Sequence, residues 1–254
     1  MTRVTDMPCE VIVSVFKQLD NIKFLPPCLL TCRHFYYSYT EIPRSGIEIL
    51  GRQVGPALLP YSIATEEASQ SLPACLSTTE LIVALQNKSD TLIDRLRDYP
   101  LIALVRLGHM HDLVEKYAKL YASEASGYIN KPSLQPHGRI PSDDAPPLSS
   151  TEQLRFYRAF YRFELYTRLL RGNNAQLGQE IDMFFSGHCP YENEQLACVY
   201  DFLGRNMSLE SFVEGLPLAS ELETRGMNYW TSLLSVLKQR CVNANDIRNY
   251  DNSG

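Results

Sequence analysis

Cysteine and histidine are the side chains in this sequence that could bind a metal or act as nucleophile and base, and they fall close together at three places. Cys28, Cys32 and His34 have a spacing from which a zinc site can begin. A structural zinc site needs four ligands in a tetrahedral arrangement, and no second Cys-x-x-Cys or His-x-x-x-His set supplies the other half. His109 and His111, in GHMH, stand two apart, so a helix would aim them about 200° from each other. They are expected as ordinary surface and core histidines. His188-Cys189 places a base beside a thiol in sequence only, without a signature that would make the two a catalytic pair. No Gly-rich phosphate loop, GxSxG elbow or HExxH occurs. The expectation is a non-catalytic protein with no metal and no cofactor.

A second chemistry is suggested by Arg155, Arg158, Arg162, Arg168 and Arg171, interleaved with Phe156, Tyr157, Phe160, Tyr161 and Phe163. Cations alternating with rings can grip and stack a nucleic acid. At helical spacing, however, aromatic rings usually form core, with arginine stems covering its edge and guanidinium groups pairing with acids. The net charge of −5 also opposes attraction to a polyanion or an anionic membrane, so neither nucleic acid nor membrane is expected as a partner.

With 254 residues, 44% apolar and 21% charged, the chain can build a core without a disulfide or metal. The seven cysteines are odd in number and scattered, which suits buried thiols in a reducing compartment and predicts no structural disulfide. Asp6 and Glu10 interrupt any secretory apolar region. The run LIALV at 101–105 falls far short of the roughly 20 residues of a membrane span. These features predict a soluble protein inside the cell, in cytoplasm, nucleus or both.

The elements that must position these residues read as helices. Leu101, Leu104, Val105, Leu113, Val114, Tyr117, Leu120 and Tyr121 recur every three or four residues, predicting one long amphipathic helix that ends near Glu124. STEQLRFYRAFYRFELYTRLLRG predicts another, with Ser150 or Thr151 as N-cap, Leu154, Tyr157, Tyr161, Leu165 and Leu169 along one side, and Gly172 past its end. Shorter helices are expected at 177–185, 193–204, 208–214 and 227–241. Between the two long ones, residues 126–150 hold five of the 15 prolines, which predicts an exposed loop or linker. No self-similarity at a period of 20–50 residues suggests a solenoid or propeller.

At the N-terminus, MPCEVIVSVFKQL carries more apolar surface than one packing face requires. At about 100° per residue, Val11, Val15, Leu19, Ile12 and Phe16 sweep an arc of roughly 140°, and Val13 widens it. Thr5 or Asp6 can cap this helix, with Pro8 in its first turn. After a break at DNIKFLPP, the segment CLLTCRHFYYSY puts Cys28, Leu29, Cys32, Phe35, Tyr36 and Tyr39 on one side and Leu30 and Tyr37 nearly on the other. Some forty residues cannot bury two faces of two short helices among themselves. Part of this surface must meet the rest of the chain or another protein.

The pattern Met7-Pro8-x-Glu10-Val11-Ile12, Val15-Phe16, Leu19-Asp20, Leu25 and Cys32-Arg33-x-Phe35 resembles the F-box motif, aligned over residues 7–35 without a gap. Met7 stands where leucine is commonest, Phe35 where another aromatic is usual, and Thr31 at a usually aliphatic position. The segments ILGRQVGPALLPYSIA, FYRAFYRFELYTRLLR and ENEQLACVYDFL are similar to the body of a group of F-box proteins from filamentous fungi. The resemblance implies docking on a Skp-type adaptor, and through it on a cullin-RING ubiquitin ligase, while the helical body takes a protein client that the sequence does not name. By position, Pro8, Val11, Ile12, Val15, Phe16, Leu19, Leu25, Leu29, Cys32 and Phe35 would supply the docking surface or the packing directly beneath it. The expected architecture is all-α: an F-box helical module at 1–45 packed on an irregular helical body at 46–125 and 151–254, joined by the linker at 126–150. The alternative is a helical interaction or scaffold protein working outside a ligase, favoured by the lack of a familiar client-binding domain.

Overall fold

A computed structural model of the chain describes residues 7–69, 75–87, 89–129, 148–169 and 177–206. These residues are all-α, with eleven α-helices and no strand among them. The helices are α1 (Cys9–Phe16), α2 (Leu25–Thr31), α3 (Arg33–Glu41), α4 (Arg44–Val54), α5 (Leu59–Ala68), α6 (Thr78–Asn87), α7 (Ser89–Arg95), α8 (Leu101–Ile129), α9 (Ser150–Leu169), α10 (Leu177–Ser186) and α11 (Pro190–Asn206). Short 3-10 turns at Ile22–Phe24 and Leu96–Asp98 link α1 to α2 and α7 to α8. Among the described residues no helix is long and apolar enough to cross a membrane, and no disulfide joins the described cysteines.

The described residues fall into two compact units, one drawn from 7–120 and 148–169, the other from 121–129 and 177–206. The first is centred on α5 and α9, which pack on each other. α5 and the second half of α9 carry apolar or small residues on several sides, as helix enclosed by protein does. Leu59, Pro60, Ile63 and Ala64 of α5 are buried, as is every residue of α9 from Ala159 to Thr167. α6 and α7 pack on α5.

Burying most of α5 and the second half of α9 takes charged groups inside, where each needs a partner. Glu67, fully buried, accepts from Arg95 Nε at 2.7 Å and Nη2 at 3.1 Å, from the Tyr99 hydroxyl at 2.6 Å and from the Leu76 N–H at 3.1 Å. Glu66 takes the Arg106 guanidinium. Glu164 takes Arg168 Nε at 2.6 Å, while Arg168 Nη1 donates to the Thr65 carbonyl at 3.2 Å and so ties α9 to α5. Arg168 thus pairs with an acid at the core's edge. Arg162 does not lie along an edge: it is buried within α9.

Several element boundaries differ from the sequence reading. α8 continues to Ile129 rather than stopping near Glu124: beyond Glu124 no proline stands before Pro132, and Gly127 alone weakens the helix without ending it. The box at the start of α9 is made by Ser149, one residue earlier than expected: its N–H and hydroxyl both donate to Glu152 Oε2, at 2.9 and 2.6 Å. Pro26 and Pro27 lie inside the first turn of α2, where a missing N–H costs no helical bond. CLLTCRHFYYSY is two helices, since Cys32 is extended at φ −157°, ψ 154° and its carbonyl accepts from Tyr36 N–H at 3.3 Å to open α3. Thr5, Asp6, Gly172, most of the proline-rich segment and the expected helices at 208–214 and 227–241 lie outside the described residues.

In the second unit Phe184, Phe185, Leu196, Val199, Phe202 and Leu203 are buried, and the Tyr121 and Phe202 rings meet edge-on at 5.1 Å. His188 Nδ1 is hydrogen-bonded to the Phe184 carbonyl at 2.8 Å, while Cys189 is exposed beside it.

Candidate docking surface

α1 packs on α3 and α4, and α2 packs on α3. Pro8 precedes the first helical residue, and its carbonyl accepts from Val11 and Ile12 N–H at 3.1 and 3.3 Å, so α1 starts without a side-chain cap. Ile12, Val13 and Phe16 turn inward, and the Phe16 ring meets Phe35 edge-on with centroids 5.5 Å apart. One turn apart on the outer side, Val11 is 45% and Val15 60% exposed. Leu25 and Leu29 of α2 and Tyr39 of α3 complete the interior.

The ten residues singled out from sequence therefore separate by depth. Pro8, Val11 and Val15 face water; Leu19, Cys32 and Phe35 are half-buried; Ile12, Phe16, Leu25 and Leu29 are buried. The outward apolar set also includes residues that were not singled out: Met7, Phe24, Leu30, Tyr36 and Tyr37. Leu30 is 87% exposed. Its place on a helical wheel, nearly opposite the side that carries Cys28, Cys32 and Phe35, is the available signal, as it is for Tyr37. The Tyr36 and Tyr37 rings lie 5.9 Å apart, edge to face. A folded chain rarely leaves so many large apolar side chains outside on some thirty residues unless something covers them.

Two reactive residues of this region have partners. His34 Nε2 is hydrogen-bonded to the Met7 carbonyl at 2.9 Å, which holds the chain entering α1 against α3. Glu10, hydrogen-bonded beside the Cys9 thiol, raises that thiol above its ordinary range and keeps it protonated. Among the described residues no group of three His, Cys, Asp or Glu could hold a metal ion. His109 is exposed on α8, whereas His111 is buried with Nδ1 hydrogen-bonded to the Tyr161 hydroxyl at 3.1 Å.

A cleft of about 550 Å³ opens in the same unit, where Asp20 and Asn21 meet the end of α4, the Asp112 face of α8 and the first turns of α9. Its polar lining is largely bonded to itself, with Asn21 Nδ2 and Gln53 Nε2 both donating to Asp112. Carboxylates and amides held this way can fasten chain segments together. The outward faces of α1 to α3 can do one thing chemically, which is to bury apolar area against a partner. No family model matches the chain, and no curated protein and no solved structure matches it.

Proposed function

We propose that the chain is a non-catalytic F-box subunit that recruits a protein client to a cullin-RING ubiquitin ligase inside the cell. The outward side chains of α1 to α3 dock on a Skp-type adaptor and the helical body holds the client. The mechanism is proximity: a client held beside the ubiquitin-charged enzyme reacts at a raised effective concentration. The observation that supports this reading most is the split along α1, where Val11 and Val15 stay in water while Ile12 and Phe16 build the module's interior. The residues that resemble the F-box motif thus include both a module core and an apolar face with no cover from the described chain.

The rival is a helical interaction protein that uses the same face outside a ligase. Co-expression with a Skp-type adaptor tests the docking, and addition of the cullin-RING complex tests the ligase. Stable co-purification followed by ubiquitin transfer to the chain or to co-purifying proteins supports the proposal. Adaptor binding without incorporation into the cullin complex favours the rival, and no adaptor binding sinks the ligase reading and leaves the rival.

A further inference from the structure

The chain leaving α1 is fastened to the body by an unusual concentration of directed bonds. Three consecutive residues, Asn21, Ile22 and Lys23, are each held by a side chain of α4 or α8. Asp112 Oδ1 accepts from Asn21 Nδ2 at 2.8 Å and from Gln53 Nε2 at 3.0 Å, and Asp112 Oδ2 accepts from Lys23 Nζ at 2.9 Å. Gln53 Oε1 accepts from the Ile22 N–H at 3.1 Å, and Gln53 Nε2 also donates to the Gly108 carbonyl at 3.0 Å. Ile22 is fully buried against Gly108, where an added Cβ would lie 2.2 Å from Ile22 Cγ2 and 3.0 Å from Gln53 Oε1. Just upstream, the Arg52 guanidinium donates to the Lys17 and Leu19 carbonyls at the end of α1.

We propose that Asp112 is a positioning residue: by taking donors from both sides of the seam it fixes the direction in which α1 presents Val11 and Val15 relative to the body. The packing of Ile22 on Gly108 and of α1 on α4 is non-directional, and with Arg52 and the Lys17–Glu48 pair reaching only α4 it would by itself let the module swing against α8. Hydrogen bonds to one carboxylate from three donors do not, because each weakens steeply as its angle departs from linear. The Lys23–Asp112 pair is partly in water and adds little stability. Geometry is what the cluster supplies. Its consequence, a partner on α1 and a client on the α4–α8 part of the same unit held at one fixed separation, rests on the docking reading; the fixed geometry itself does not.

The test is made on the full chain without any partner. Spin labels carried by unnatural amino acids at Ser14 on α1 and Lys116 on α8, both exposed, leave the cysteines untouched, and their separation is read by pulsed electron resonance. The native chain gives one narrow distance peak. Asp112→Ala is expected to broaden it at least twofold, with amide protection across 9–16 and 25–41 retained. Asp112→Asn, which still accepts from Asn21 and Gln53 but loses the Lys23 ammonium, falls between. A peak in Asp112→Ala as narrow as the native one overturns the proposal. So does loss of protection throughout α1 to α3, which would make Asp112 a fold-stabilising residue. Adaptor binding, measured separately on the same variants, reports on the docking reading alone.

Discussion

Val15 and Phe16 are neighbours on α1 that point to opposite environments: Val15 is 60% exposed, and Phe16 is buried with its ring edge-on to Phe35 at 5.5 Å. An apolar excess that reads in sequence as one overloaded face is thus two surfaces with separate duties. Phe16 joins α1 to α3, and Val15 is left over. The distinction decides which substitution tests binding and which tests folding.

Val15→Asp is expected to change stability by less than about 1 kcal/mol, since it alters an exposed helical position and removes no packing. It should nonetheless abolish adaptor co-purification by placing a charge in a buried interface. Phe16→Ala should cost about 3–5 kcal/mol of folding stability and lose binding only through partial unfolding. Thermal denaturation and a pull-down of each variant separate the two. If Val15→Asp binds as well as the native chain, α1 does not face the partner.

Leu30 provides an independent check on α2. At 87% exposure it contributes almost nothing to the core, so Leu30→Ser should leave the unfolding midpoint within about 0.5 kcal/mol of the native value. If it anchors the interface, affinity falls by about 1–4 kcal/mol, measured by titration calorimetry with the purified adaptor. Unchanged affinity would confine the docking face to α1 and α3.

Much of the fold could be read from sequence because it is local. The three-and-four spacing of 101–121 and the aromatic run of 154–169 are helical patterns that need no partner to recognise. Depth was less legible. Leu29 and Leu30 are identical in composition, yet one is buried and one stands in water, because the helix they share ends at Thr31 and only its inward side meets α3. The Asp112 cluster was not legible at all. It joins Asn21, Lys23, Gln53 and Asp112 across 59 to 91 residues of chain, and polar side chains meeting at long range leave no periodicity behind.

Glu67 makes a prediction about the core. Burial pushes its carboxyl up, but the hydrogen bonds from Arg95, Tyr99 and the Leu76 N–H outweigh that and hold it below the ordinary carboxylate range. Burial, and then its hydrogen bond to Glu67, hold the Tyr99 hydroxyl protonated far above its usual range. A carboxyl depressed in the folded state stabilises above its unfolded value near 4.5 and loses that contribution as pH falls through the folded value. Glu67→Gln should therefore cost about 3–5 kcal/mol at neutral pH, nearer the lower end because Arg95 is 31% exposed. Its stability should also fall less steeply than the native chain's below pH 4.5. Urea denaturation across pH 3–7 makes the comparison; parallel curves would show that Glu67 is not the group responsible.

His111 gives a dependence of the same sign nearer to neutrality. Its ring is buried, stacked on Tyr161 at 6.2 Å and edge-on to Tyr157 at 5.9 Å. Burial lowers its pKa below the ordinary 6.5, against the opposing pull of Glu115 and Asp112 on its own helix. The unfolded chain therefore takes up a proton near pH 6.5 that the folded chain refuses until a lower pH. Stability is complete above that point and falls as pH drops toward the folded value, by at most about 1.4 kcal/mol per pH unit from this one group. His111→Gln removes the titration, so its unfolding free energy should be flat between pH 7.5 and 5.5 where the native chain declines. The decisive comparison is the slope, since losing the bond to Tyr161 lowers the variant's stability at every pH. A native chain whose stability holds level through that window would mean that His111 can be protonated in place, with Glu115 and Asp112 stabilising the charge.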